Sequence, residues 1–379
     1  MKKPLVIIGS GHAGYTLARA FRQLDSSTPV IILTQDGGEQ YPKPQLSHGF
    51  GRQMAAEQLV QQHATAIAAE LKIMVRPNTL VTTIDFDARL VHAGAAQIPY
   101  SDLVLAVGAE PFVPAIRGDA AQDILTLNNL EQYRRYIAQL ERSERVLVIG
   151  GGLIGTEIAH DIARHKQVTL VDIGSRLLER LVPEVVSQRL HRAMKQVTMR
   201  FGTAVDRIDR AATGYHVKLS NGETLSVDAV ICAAGLKPRL ELAGGLAGGL
   251  ATGRGITVDR YLRTSQANVY ALGDCAEIEG QILPYLQPIT LSARALASTL
   301  ASTLASTPQP VRFGPLPVAV KTPHYPIQLA GVTHGPALDW QISEGDDGLT
   351  ALAHRDSKLV GYVTTGSRNG FSLLPSLAG

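Results

Sequence analysis

A six-residue glycine pattern occurs twice in this chain, and its recurrence constrains the fold more than any other feature. Gly9-Ser10-Gly11-His12-Ala13-Gly14 follows the apolar run Leu5-Val6-Ile7-Ile8. Gly150-Gly151-Gly152-Leu153-Ile154-Gly155 follows Arg145-Val146-Leu147-Val148-Ile149. Each reads as strand, tight turn, helix. Gly9 permits the sharp turn, Gly11 leaves no side chain between backbone and a pyrophosphate, and Gly14 lets the helix lie close on its strand. The helix from Tyr15 to Leu24 then offers free N–H groups and a positive dipole end to phosphates. Gly150, Gly152 and Gly155 repeat these positions 141 residues later. One such pattern is a weak signal, but two in full context predict two dinucleotides held by two homologous α/β units.

Each unit also ends a second strand on an acid. Val30-Ile31-Ile32-Leu33 leads to Asp36, 22 residues after Gly14, where a carboxylate can accept hydrogen bonds from an adenosine ribose. An ordinary loop aspartate before Gly37-Gly38 is the other reading. Val168-Thr169-Leu170-Val171 leads to Asp172. A carboxylate there favours the ribose hydroxyls of NAD and repels a 2′-phosphate, with nearby Arg176 keeping NADP open.

Composition supports an ordinary globular chain of two or three domains: 379 residues, 45% apolar and 18% charged. The net charge of +3 arises from 36 basic and 33 acidic residues, so no nucleic-acid footprint appears. No run approaches the ~18 apolar residues of a membrane span. The apolar run after Lys2-Lys3 breaks at Gly9, too early for a signal peptide, and a cytoplasmic protein is expected. The two cysteines, Cys232 and Cys275, form neither a CxxC pair nor a metal-ligand spacing, so no metal site is expected.

Between the fingerprints, Tyr41-Pro42-Lys43-Pro44-Gln45-Leu46-Ser47-His48 holds Lys43 between two prolines. They fix an extended backbone and aim that cation either at phosphate or flavin oxygens or at solvent. The pattern predicts a helix over 53–70 and a buried strand at Leu103 to Ala109. After the second unit, Val269-Tyr270-Ala271-Leu272-Gly273-Asp274 delivers a carboxylate beside closely approaching backbone. That placement suits the ribityl hydroxyls of a flavin. A helix is expected over 292–306, and strands near 318–323, 327–330, 340–342 and 358–363 suggest a small C-terminal α+β domain.

Taken together, these segments resemble the flavoprotein reductases with two dinucleotide-binding domains related to glutathione reductase. Within that family, Tyr41 to Ser47, Gly150 to Glu157, Tyr270 to Glu277 and Val320-Lys321-Thr322-Pro323 are similar to the rubredoxin reductases. Leu283 to Ile289 and Leu329-Ala330-Gly331 are similar to the branch that reduces flavorubredoxin. The resemblance implies two Rossmann-like domains plus the C-terminal domain. Residues 1–110 and 236–314 would bind FAD, 111–235 would bind NADH, and 315–379 would form an interface domain. It implies FAD contacts from Lys43, Glu157, Asp274 and Lys321, with Glu157 steadying the flavin–nicotinamide stack and Lys321 balancing charge on the reduced flavin. Ala106-Val107-Gly108 departs from the family's Ala-Thr-Gly. The implied activity carries electrons from NADH to flavorubredoxin or rubredoxin, in support of anaerobic nitric oxide detoxification, by a monomer. A rubredoxin or ferredoxin reductase of a hydroxylase system is the alternative, and a flavin-bearing signalling protein is the non-enzymatic one. A disulfide reductase would need a thiolate where this chain has Leu46-Ser47-His48, and no cysteine precedes Cys232.

Overall fold

The computed structural model describes residues 2–246, 248–301 and 308–377. The chain forms two units. One comprises Met1–Pro42, Gln58–Glu110 and Lys237–Phe313; the other comprises Lys43–Glu57, Pro111–Leu236 and Gly314–Gly379.

In the first unit, five parallel strands run in the order Val269–Ala271, Asp102–Leu105, Leu5–Ile8, Val30–Leu33, Met74–Arg76. Leu5 to Ile8 are all buried, as a parallel strand covered on both faces requires. The strand order reverses at this first fingerprint strand, which makes it the switch point where open α/β sheets bind ligands. The helix His12–Leu24 packs Tyr15, Leu17, Ala18 and Phe21 into a core shared with the strands. An antiparallel sheet of Thr83–Asp85, Leu90–Ala93 and Ala96–Pro99 adds Ile84, Val91 and Ile98 to it.

The single helix expected over 53–70 is two, Ala56–Leu59 and Ala64–Leu71. Between them Gln62 pairs with Gln40 in a β-bridge, and Gln40 N–H donates to Gln62 O at 2.8 Å. Backbone committed to that bridge cannot continue a helix. The helix expected over 292–306 starts earlier and spans Leu286–Leu300. Pro288 lies in its first turn, where no intrahelical N–H bond is lost. Residues 302–307 of that expectation lie outside the described residues.

In the second unit, four parallel strands follow the order Val197–Phe201, Gln167–Asp172, Arg145–Ile149, Ala229–Cys232. The second fingerprint strand is again internal, and the helix Leu153–Ile162 follows its turn. A three-stranded antiparallel sheet, Val205–Arg210, Tyr215–Leu219 and Thr224–Val227, shares the core through Ile208, Val217 and Val227. The C-terminal part is a five-stranded antiparallel sheet in the order Val318–Val320, Ile327–Gly331, Lys358–Thr365, Gly348–Arg355, Asp339–Gly345. Its helical component is the 3-10 segment Gly370–Ser376. No helix among the described residues is long and apolar enough to cross a membrane.

Candidate dinucleotide and redox site

The two glycine turns have matching geometry. Gly9 adopts φ +114°, and a Cβ there would stand 2.2 Å from Ala106 O. Gly150 adopts φ +109°, and its Cβ would stand 2.5 Å from Ala233 O. At the third glycines, a Cβ on Gly14 would meet Gly9 O at 2.0 Å, and one on Gly155 would meet Gly150 O at 1.9 Å. The middle glycines differ from both: a Cβ on Gly11 or Gly152 meets nothing within 4 Å. Gly11 and Gly152 are also the N-caps of their helices, with no side-chain cap on the first-turn N–H groups. Each helix therefore presents uncapped donors behind open space, the arrangement that accepts a pyrophosphate.

Around the first turn, Ser10 Oγ donates to Thr34 Oγ1 at 2.9 Å, tying the turn to the end of the second strand. Asp36 lies exposed just beyond that strand end. Gly273 adopts φ +86°, and its added Cβ would stand 2.9 Å from Ala13 Cβ, so the Gly-Asp turn backs onto the start of the first helix. Asp274 is close enough to His12 for its charge to favour the imidazolium, although burial, the larger effect, holds the His12 pKa below its ordinary value.

Around the second turn, Asp172 accepts from Gly151 N–H at 2.5 Å and Gly174 N–H at 2.6 Å, one bond to each oxygen. The carboxylate is thus fixed against the fingerprint backbone with lone pairs remaining. Arg176, the residue that keeps NADP open, lies against Glu179.

Within the second unit, Glu157 is 3% exposed on the second fingerprint helix. A carboxylate buried this far costs several kcal/mol unless its lone pairs are filled. Ser47 Oγ donates to Oε2 at 2.9 Å, and the backbone N–H of Lys321 donates to Oε1 at 2.8 Å. His48 Nε2 stands 3.2 Å from Oε2, off the direction of a hydrogen bond. Lys321 therefore meets Glu157 through its backbone, and its side chain is exposed. Lys43 opens the 3-10 turn Lys43–His48 that carries Ser47 and His48. One helical turn on from Glu157, Asp161 accepts from Gly51 N–H at 2.8 Å, which fastens the same segment a second time. These two clamps are why Lys43–Glu57 belongs to the second unit.

Sequence reasoning did not assign Ser47, His48, His160, Asp161 or His324 to this site. Ser47 and His48 have the Pro-Lys-Pro segment as their only signal and the other three have none, because Ser47–Glu157 and Gly51–Asp161 are each separated by 110 residues. Both thiols are buried and unpaired. Burial pushes Cys232 up and Cys275 up to about 11, so neither is poised as a thiolate nucleophile.

The profile of the pyridine nucleotide-disulphide oxidoreductases matches residues 3–298, and that of a rubredoxin binding C-terminal domain matches residues 310–372. The chain is 42% identical to the nitric oxide reductase FlRd-NAD(+) reductase of Aliivibrio fischeri, covering 100% of this chain and 99% of that one. It is 39% identical to the protein of the same name from Escherichia coli O157:H7, covering 100% of both. Among solved structures, the ferredoxin reductase for the CYP199A2 system from Rhodopseudomonas palustris superposes with a TM-score of 0.87 at 25% identity, over 96% of this chain and 91% of that one. The putidaredoxin reductase of a covalent complex with putidaredoxin shares the fold, with a TM-score of 0.85 over 98% of this chain and 91% of that one. With its two glycine cradles, this chain belongs to the pyridine nucleotide-disulphide oxidoreductase family.

Proposed function

We propose that this oxidoreductase is an FAD-dependent reductase that passes electrons from NADH to the rubredoxin centre of a flavorubredoxin, supporting anaerobic nitric oxide detoxification. The observation that carries the partner is the rubredoxin-binding profile over residues 310–372. The relatives named for flavorubredoxin and NAD(+), aligned over the whole chain, support the same reading. Bound FAD would take hydride from NADH and release electrons singly.

The residues divide the work as follows. Gly9, Gly11, Gly14, Asp36, Gly273 and Asp274 hold FAD, with the open cradle at Gly11 taking the pyrophosphate. Gly150, Gly152, Gly155 and Asp172 hold NADH, and the fixed Asp172 carboxylate disfavours a 2′-phosphate. Glu157, immobilised by Ser47 and the Lys321 N–H, orients the nicotinamide. Lys43 and Lys321 supply positive charge for the cofactor. Residues 1–110 and 236–314 serve FAD, 111–235 serve NADH and 315–379 serve the acceptor, in a cytoplasmic monomer.

With both thiols buried, the chain offers no dithiol relay, and a one-electron acceptor is the fitting oxidant. A ferredoxin of a hydroxylase system is the second reading, favoured by the fold shared with the CYP199A2-system reductase. Parallel re-oxidation assays with a rubredoxin domain and a ferredoxin separate the two: faster electron acceptance by the ferredoxin would replace the first reading with the second.

A further inference from the structure

Three imidazoles come from three separate stretches of the second unit, and one of them, His48, lies beside Glu157. His48 comes from the 3-10 turn Lys43–His48, His160 from the second fingerprint helix, and His324 from the stretch after the strand Val318–Val320. Two are buried and one reaches the surface. Glu157 and His160 are each 3% exposed and His48 is 9% exposed, whereas His324 is exposed. His48 Nε2 lies 3.2 Å from the Glu157 carboxylate, and the His160 and His324 ring centroids are 5.3 Å apart. His48 is near enough to His160 for its charge to oppose charge there. Neither His48 Nε2 nor His160 Nε2 has a hydrogen-bond partner among the described residues. A buried imidazole nitrogen without a partner is costly.

The proposed reaction leaves a proton that must reach water. Hydride brings two electrons and one proton from NADH, and two one-electron acceptors remove only the electrons. The balance per NADH is therefore NAD+, two reduced acceptors and one proton. We propose that His48, His160 and His324 form the exit path for that proton, from the Glu157 site to solvent. His48 takes it at Nε2 beside the carboxylate, His160 passes it on, and His324 releases it to water. This inference rests on the reading of Glu157 as the carboxylate at the nicotinamide.

The charged surroundings suit a relay that does not store the proton at its middle. Burial first, then His324, Arg164 and His48, hold His160 down to about 4, so it carries the proton only transiently at neutral pH. Asp161 is raised by burial against the opposing pull of the Gly51 N–H, His48, Arg164 and Arg52.

The test uses the holoenzyme, NADH and oxidised rubredoxin domain in weakly buffered solution with a pH-indicator dye. The dye reads proton release, and flavin absorbance in the same trace reads reduction and re-oxidation. Wild-type protein should release one proton per NADH in step with re-oxidation. His324→Asn, at an exposed position that does not endanger folding, should slow proton release about tenfold, and added imidazole should restore it. His160→Gln should slow release without rescue, because the site is closed to buffer. In holoenzyme imidazole NMR, the His48 resonances should shift when His160 is replaced, as a continuous path requires. Unslowed proton release in either variant, or unmoved His48 resonances, would overturn the path. Wild-type flavin that NADH fails to bleach would instead remove the underlying reading, and the path with it.

Discussion

Gly11 and Gly14 sit in one turn, yet alanine should fail at them in different ways. Gly14→Ala places Cβ 2.0 Å from Gly9 O, so helix and strand must separate, at a cost of about 2 kcal/mol or more. Gly11→Ala meets nothing within 4 Å and should hold stability within about 0.5 kcal/mol. It should nevertheless weaken FAD binding roughly tenfold or more, since the methyl occupies the space where the pyrophosphate approaches the backbone. Urea unfolding and flavin retention on dilution read the two effects separately. Gly152→Ala should act likewise on the NADH KM.

At the same scale, His160 makes the protein sensitive to acid. Its folded pKa, about 4, lies below its ordinary 6.5. The unfolded chain therefore binds a proton that the folded one refuses within that window. Stability is fully present above about 6.5 and is lost as pH falls towards about 4, by up to roughly 3 kcal/mol. Asp161, whose pKa is raised, opposes part of this loss at the lower end. His160→Gln should flatten the fall in Tm over that range, and an unchanged acid slope would contradict the assignment.

Among the elements, the segment 43–57 shows where sequence stops being legible. The prolines around Lys43 mark an extended segment, but its docking depends on Ser47–Glu157 and Gly51–Asp161, pairs far apart in the chain. No local pattern encodes such a pairing. Ser47→Ala and Asp161→Ala should each cost about 1–3 kcal/mol by leaving a buried polar partner unpaired, and should speed proteolysis around 49–54. Fingerprint strands and helices were legible because glycine spacing and buried apolar runs are local signals. The break at Gln62 was not, since it answers to a bridge with Gln40. The strand Gly348–Arg355 is not legible either. Its buried face is Leu349, Ala351 and Ala353, and two alanines give a faint alternation.

At the scale of the whole molecule, the same strand–turn–helix device appears twice, once in each unit, with the same clashes at its first and third glycines and the same open space at its middle one. That repetition was visible in the sequence as two spaced motifs, and it supports two dinucleotides in one chain. Partner choice has no comparable motif, because it lies in surface shape and charge. The most direct measurement is anaerobic stopped-flow mixing of the oxidised flavoprotein with NADH or NADPH, followed by oxidised rubredoxin domain of a flavorubredoxin. Bleaching by NADH should be at least roughly tenfold faster than by NADPH, and re-oxidation by that domain should then be faster than by a generic ferredoxin. Equal or slower re-oxidation by the rubredoxin domain would rule out flavorubredoxin as the acceptor.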